Sequence, residues 1–313
     1  ANYPSTHQNS IVEPVVKRVL AVLKPPPKLT VSQWADASRR LSAEASAEPG
    51  KWDTSRAEYQ RGMLDAVSDP TIHTVVIMSS AQIGKTEVIL NMLGYHIDQD
   101  PAPMLCVMPT VEMAKAFSKD RVEPMCRVTP SLKGKVVGAQ ARKGGSTQLH
   151  KLFAGGHLTM AGSNSPSSLA SRPVRFVLCD EVDRFPLSAG REGDPVNLAR
   201  KRSTTFWNRK TVLTSTPTDR DVSRIYMEWE NSDQRYYMVP CQHCGHFQRL
   251  TWESVKWPKG HPQQAQIMCL SCGVLWSEAE RQRSVLQGRW EVTCPEKAGT
   301  AGFHLSELYS PWS

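Results

Sequence analysis

Residues 79–86, SSAQIGKT, follow directly on an apolar, β-branched run, TVVIM at 74–78, and open a stretch of helical spacing at 85–95. No other feature constrains the fold as much. A strand that is apolar at every position is buried on both faces, the mark of a parallel sheet. A turn ending in Gly84-Lys85-Thr86 between that strand and a helix has the spacing of a phosphate-binding loop, G-x-x-x-x-G-K-[ST]. Every position is met except the first, where Ser79 stands for glycine. The physics survives that change, because backbone N–H groups of the loop and of the helix start do the cradling. Gly84 allows close backbone approach, Lys85 would neutralise the β- and γ-phosphates of ATP, and the Thr86 hydroxyl would bind Mg²⁺. The ATP-binding set is therefore Ser80, Ala81, Gln82, Ile83, Gly84, Lys85 and Thr86. Gln60, about twenty residues upstream, joins it, since a glutamine amide can pair with an adenine edge. An ordinary surface glutamine on a helix is the competing reading.

Further buried strands are expected at 104–108 (MLCVM), 174–179 (VRFVLC) and 210–214 (KTVLT), and a hairpin at 149–160. Thr110 can cap a helix from Val111 to about Asp120. Residues 31–70 read as mostly helical. Strands alternating with helices predict an α/β fold of the P-loop NTPase kind, a central mostly parallel sheet with helices on both faces.

The 174–179 strand ends in Asp180-Glu181. Asp180 would hold the Mg²⁺ shell, and Glu181 would orient and deprotonate the attacking water as general base. Two carboxylates are needed because one is committed to the metal. Asp183, just beyond, reads as a salt-bridge or cap residue. The 210–214 strand runs into Ser215-Thr216-Pro217, and Ser215 and Thr216 could sense the γ-phosphate and couple its loss to a nucleic-acid surface. A plain turn is the alternative there.

Cys241-Gln-His-Cys244 and Cys269-Leu-Ser-Cys272 form two C-x2-C turns, each followed by glycine. Two such turns can complete a tetrahedral shell of four thiolates around one structural Zn²⁺, a small zinc ribbon. Two redox pairs would have the same spacing. The other four of the eight cysteines are scattered, which argues against a disulfide framework and for a reducing compartment. No run of eighteen apolar residues exists, so no membrane span is expected.

Net charge is +8 over 313 residues, which suits a polyanionic partner. Arg142-Lys143, Arg172, Arg175, Arg200-Lys201-Arg202 and Arg209-Lys210 punctuate the chain. Solvated surface charge accounts for most of them. Arg142 is the simplest choice for an arginine finger. The organisation expected is an N-terminal arm at 1–30, a P-loop motor domain at 31–235, a zinc-ribbon subdomain at 236–290 and a linker at 291–313.

The ordered set resembles one family, the large terminase subunit of tailed bacteriophages in its lambda-like branch. The resemblance rests on Trp52 to Tyr59-Gln60, SSAQIGKT (79–86) and MLCVMPT (104–110). It continues through Ser171-Arg172-Pro173 into RFVLCDEVD (175–183), then TSTP (214–217), the CQHCG and CLSCG knuckles and LYSPWS (308–313). It implies an ATPase that drives double-stranded viral DNA into a procapsid, in the bacterial host cytoplasm. It also implies a small terminase subunit and a portal protein as partners. A ring oligomer on the portal is implied by the family alone, with monomers in isolation. Relatives carry a C-terminal nuclease, which would begin beyond 313, so no nuclease residue is assigned. A DExx-type helicase shares the GKT, DE and Ser/Thr-rich motifs but needs a second lobe with a QxxGRxGR-like motif, and none follows Thr216. A zinc-ribbon DNA-binding adaptor with an inactive nucleotide site would not need Lys85, Thr86, Asp180 and Glu181 together.

Overall fold

The 74–78 run becomes a central strand of a ten-stranded sheet. The computed structural model describes residues 28–137, 146–170 and 172–311, and the N-terminal arm up to residue 27 lies outside them.

In chain order, α1 (Val31–Ser38) is followed by the short hairpin β1 (Arg40–Leu41) and β2 (Gly50–Lys51), then α2 (Tyr59–Ser68) and β3 (Thr74–Ser79). After the phosphate loop come α3 (Lys85–Asp98), β4 (Met104–Met108), α4 (Val111–Phe117), a π-helical turn at Ser118–Val122 and α5 (Glu123–Val128). The hairpin β5 (His150–Phe153) and β6 (Gly156–Gly162) follows. Next are α6 (Pro166–Ala170), β7 (Phe176–Asp180), α7 (Pro195–Lys201), β8 (Lys210–Ser215), α8 (Arg224–Glu230) and β9 (Arg235–Pro240). The cysteine region holds β10 (Phe247–Arg249), β11 (Val255–Lys256), β12 (Gln266–Met268), β13 (Leu275–Trp276) and α9 (Glu278–Leu286). The described chain closes with β14 (Arg289–Val292) and β15 (Thr300–Leu305).

The sheet runs β10-β9-β15-β3-β8-β7-β4-β6-β5, with β14 also on β9. Every pairing from β9 to β6 is parallel, and antiparallel strands close both edges. Period-2 alternation splits the strands between two cores. Val75 and Ile77 pack with α1, α2 and α3 residues such as Trp34, Met63 and Ile89. Val76 and Met78 face Leu169, Val196 and Ile225 on the other side. Each such side chain contributes roughly 1.5–3 kcal/mol by leaving water.

Three expectations are refined. Residues 31–70 are helical at both ends, but α1 stops at Ser38, where Arg39 turns extended, and β1 and β2 pair before the helical turn at Thr54–Ala57 and α2. The 236–290 insertion is not confined to a sheet of its own: β9, β10 and β14 belong to the main sheet, and β11–β13 form a small separate one. The 291–313 stretch is not a linker. Its strand β15 lies between β3 and β9, pairing Thr300 with Thr74 through Leu305 with Ser79. A parallel strand takes its partners from far upstream, so the lack of elements after it is no sign of a loop.

Candidate functional site

β3 and α3 are joined by a loop whose backbone alternates hands. Gln82 and Gly84 are left-handed, at φ 66° and 86°. Such alternation gathers N–H groups into an anion-binding concavity. α3 starts after Gly84 with no side-chain cap, so its first N–H groups remain for a ligand. Gln60 also packs closely on Gly84: a Cβ there would stand 2.4 Å from Gln60 Nε2 and would displace that amide.

Gln60 is thus buried behind the loop and not an exposed helix residue. Its Nε2 donates to the Ile83 carbonyl at 3.1 Å, and the Tyr59 hydroxyl donates to the same oxygen at 3.2 Å. Gln60 Oε1, Ser79 Oγ and Ser80 Oγ are buried without hydrogen-bond partners among the described residues. Orphaned acceptors and donors clustered around one loop are what a polar ligand would satisfy.

β8 lies between β3 and β7, so three strand ends converge. Lys85 is buried. Its Nζ donates to Ser79 O at 3.3 Å, Ser80 O at 3.4 Å and Thr216 Oγ1 at 2.6 Å, and stands 3.3 Å from Glu181 Oε1. The Thr216 N–H donates to Glu181 Oε2 at 3.3 Å. Glu181 has a left-handed backbone, φ 55° and ψ 53°. Strain of that kind costs on the order of 1–3 kcal/mol and collects at working sites. Asp180 is buried. Burial, and next the Glu181 charge, push its carboxyl above the ordinary range, while the Thr214 hydrogen bond and the Lys85 charge pull against them. Thr86 is half-buried on the first turn of α3.

Thr214 was missed by sequence reasoning. Its hydroxyl donates to Asp180 Oδ1 at 2.5 Å. Register alone places it, Asp180 being the strand partner of Thr214. Ser215 serves the loops instead, donating to Thr216 O at 3.0 Å and accepting from the Asp183 N–H at 3.2 Å. Asp183 is a cap. Its carboxylate accepts from Thr218 N and Oγ1, both at 2.9 Å, Ser223 Oγ at 2.6 Å and Ile225 N at 2.8 Å.

A cavity of about 630 Å³ opens beside this group, reaching from Trp52, Tyr59 and Gln60 to Lys85, Thr86 and Glu181. Ala81, Gln82 and Gly84 line it, and the loop between β1 and β2 forms its outer wall.

At the other end of the chain, the sulfurs of Cys241, Cys244, Cys269 and Cys272 all lie within 4.8 Å of one another. Cys241 and Cys272 are 3.9 Å apart and Cys244 and Cys269 3.7 Å, too far for disulfides. The glycines after each knuckle, Gly245 and Gly273, are left-handed at φ 72° and 74°. His243 leans on α9 through Glu280 at 2.8 Å.

The basic residues are largely tied down. Arg200 holds Glu228 with two bonds, at 2.7 and 2.8 Å, Arg175 pairs with Asp100, and buried Lys210 donates to the carbonyls of Asp69 and Ile72. Arg142 lies outside the described residues. No helix among the described residues is long and apolar enough to cross a membrane.

The family described as phage terminase large subunit gpA, ATPase domain, matches residues 46–290. The chain is 29% identical over 281 residues to the terminase large subunit of Enterobacteria phage P21, covering 87% of this chain and 43% of that protein. It is 27% identical over 259 residues to that of Escherichia phage lambda, covering 80% and 40%. The chain thus spans 43% and 40% of the length of these two relatives. The crystal structure of the HK97 bacteriophage large terminase shares the fold, with a TM-score of 0.50 at 15% identity over 64% of this chain and 40% of that one.

Proposed function

The chain belongs to the phage terminase large subunit gpA ATPase-domain family, and we propose that it is an ATP-hydrolysing motor that drives double-stranded viral DNA into a procapsid. The observation that carries this reading is the convergence of Lys85, Glu181 and Thr216 at adjoining strand ends, beside a loop with orphaned polar groups.

The residues fit ATP and Mg²⁺. Loop N–H groups from Ser80 to Gly84 would hold phosphate oxygens, and Gln60 Oε1 is free to accept from an adenine amine. Lys85 would move from the Glu181 carboxylate to the β- and γ-phosphates. Released, Glu181 would orient a water and take its proton. Thr86 and Asp180 would hold Mg²⁺, which when bound screens the phosphate charge. Thr216 touches both Lys85 and Glu181, and with Ser215 it would report loss of the γ-phosphate to the β8–α8 loop. Arg142 is retained as the candidate arginine finger.

The four cysteines fit one structural Zn²⁺, so the lobe reads as a zinc ribbon. At a Zn–S distance of about 2.3 Å, a tetrahedron has S···S edges of about 3.8 Å; the Cys244–Cys269 and Cys241–Cys272 pairs measure 3.7 and 3.9 Å. We take the ATPase unit to run from 31 through 305 with this ribbon set into it. The small terminase subunit, the portal protein, a ring on the portal and the host cytoplasm come with the family reading.

Glu181→Gln tests the function. Turnover should fall about 10²–10⁴-fold while ATP binding stays within a few-fold, and Lys85→Ala should lose binding as well. Undiminished DNA-stimulated ATPase activity in Glu181→Gln would remove the proposed base. An absence of ATP binding by the wild-type chain would leave only the DNA-binding adaptor.

A further inference from the structure

Three cationic side chains that none of the motifs supplies line the nucleotide cavity, Lys51, Arg56 and Arg121, and the last comes from an unusual element. The π-helical turn at Ser118–Val122, the only one among the described residues, interrupts the run from α4 to α5. Such turns insert one extra residue and re-aim the side chains around it, and they recur at working sites. Here Arg121 lines the cavity together with Lys85, Thr86 and Glu87 of the first turn of α3.

The local charges leave Arg121 available. Glu87 faces two guanidiniums, but its close partner is the buried Arg39, whose Nη2 is 3.0 Å from Oε2. Arg121 Nη1 is 3.9 Å from Oε1, beyond hydrogen-bond reach. Its one hydrogen bond among the described residues goes to the carbonyl of Ala45, on the cavity's outer wall. A guanidinium has five N–H donors, so most of its capacity is unspent, and its side chain is 40% exposed. Lys85, by contrast, already has four oxygen neighbours. The loop residues 79–84 carry no charge of their own.

We propose that Arg121 is a phosphate-binding residue of the nucleotide site, supplied from within the same chain, that reaches the phosphate chain from the side of the first turn of α3. This rests on the reading of the cavity as the ATP site. A planar fork donating to phosphate oxygens is the strong form of that contact.

The test compares Arg121→Gln with the wild-type chain for binding of ATP, ADP and adenosine, with Lys85→Ala alongside. A phosphate contact predicts that Arg121→Gln weakens ATP and ADP about tenfold or more, leaves adenosine within about twofold, and that Arg121→Lys recovers part of the loss. A parallel fall for ATP and adenosine would make Arg121 a tether for the wall and overturn the assignment, as would unchanged ATP affinity. Failure of the underlying reading looks different: the wild-type chain would bind neither ATP nor ADP, or Lys85→Ala would bind them as well as wild type.

Discussion

The phosphate-loop end of the sheet and the cysteine lobe both present a cluster of polar atoms, but they stand on different floors. Beneath Lys85 and Glu181, all of β7 and β8 and all but the first residue of β3 are buried. The three strands of the cysteine lobe are two or three residues long and bury one residue each, Val255, Ile267 and Trp276. The same lobe leaves Trp252, Trp257, Leu270 and Leu275 exposed. A polar site on a thick apolar floor inherits its geometry from the fold. A site with almost no floor must make its own, and a lobe of this size cannot do that by hydrophobic burial alone.

The sharpest way to break this contrast is to remove the zinc proposed for the four cysteines. The chain as purified should contain about one zinc, and apparent binding energies of structural zinc are on the order of 10–16 kcal/mol in small metal-folded peptides. Stripping it with a chelator, or substituting Cys272→Ser, should open residues 241–276 to protease. Nucleotide binding at Lys85 should survive. A lobe that keeps its protease resistance without metal would show that burial holds both regions after all.

The seam between the regions gives the next effect. The His304 ring on β15 packs tilted against Trp229, with centroids 5.6 Å apart, and edge-on against Tyr236 at 5.7 Å. Burial, and then the Arg249 charge, push its imidazole down to about 4. The folded pKa is below the unfolded one near 6.5, so the contribution is present above pH 6.5 and is lost as pH falls toward 4. It amounts to at most about 3 kcal/mol. His304→Gln should flatten this part of the acid limb. Urea midpoints of the two proteins, compared from pH 7 to pH 4, measure it. Parallel curves would mean that the seam carries no such charge cost.

What could be read from the sequence follows the same division. Strands buried on both faces print as continuous apolar runs, so 74–78, 104–108 and 210–214 were legible, and the glycine–lysine–threonine turn located the loop between them. β15 was not. TAGFHL alternates small and polar residues with apolar ones, and its partner β3 lies more than two hundred residues upstream. The hairpin of β1 and β2 was hidden because its strands are two residues each. Within the site, Lys85 and Glu181 could be named from motifs, but the burial of Gln60 behind Ile83 and the bond from Thr214 to Asp180 depend on packing and register. Spacing along a chain does not encode side-by-side placement across a sheet.

That last bond provides the smallest and most specific probe. Thr214 is buried between β3 and β7, and a valine would keep its shape and its β-branch while deleting only the hydroxyl. The Asp180 carboxylate would then lose its hydroxyl donor while staying buried, at a cost of about 1–3 kcal/mol when charged. The hydroxyl stabilises the charged form and so lowers the Asp180 pKa. Its contribution is therefore present where Asp180 is ionised and shrinks as acid protonates it. Thr214→Val should be less stable than wild type at pH 7, and the gap should narrow through the acid limb. Equilibrium unfolding of both proteins across that range decides it. A gap that stays constant with pH would mean that the hydroxyl supports the strand and not the charge.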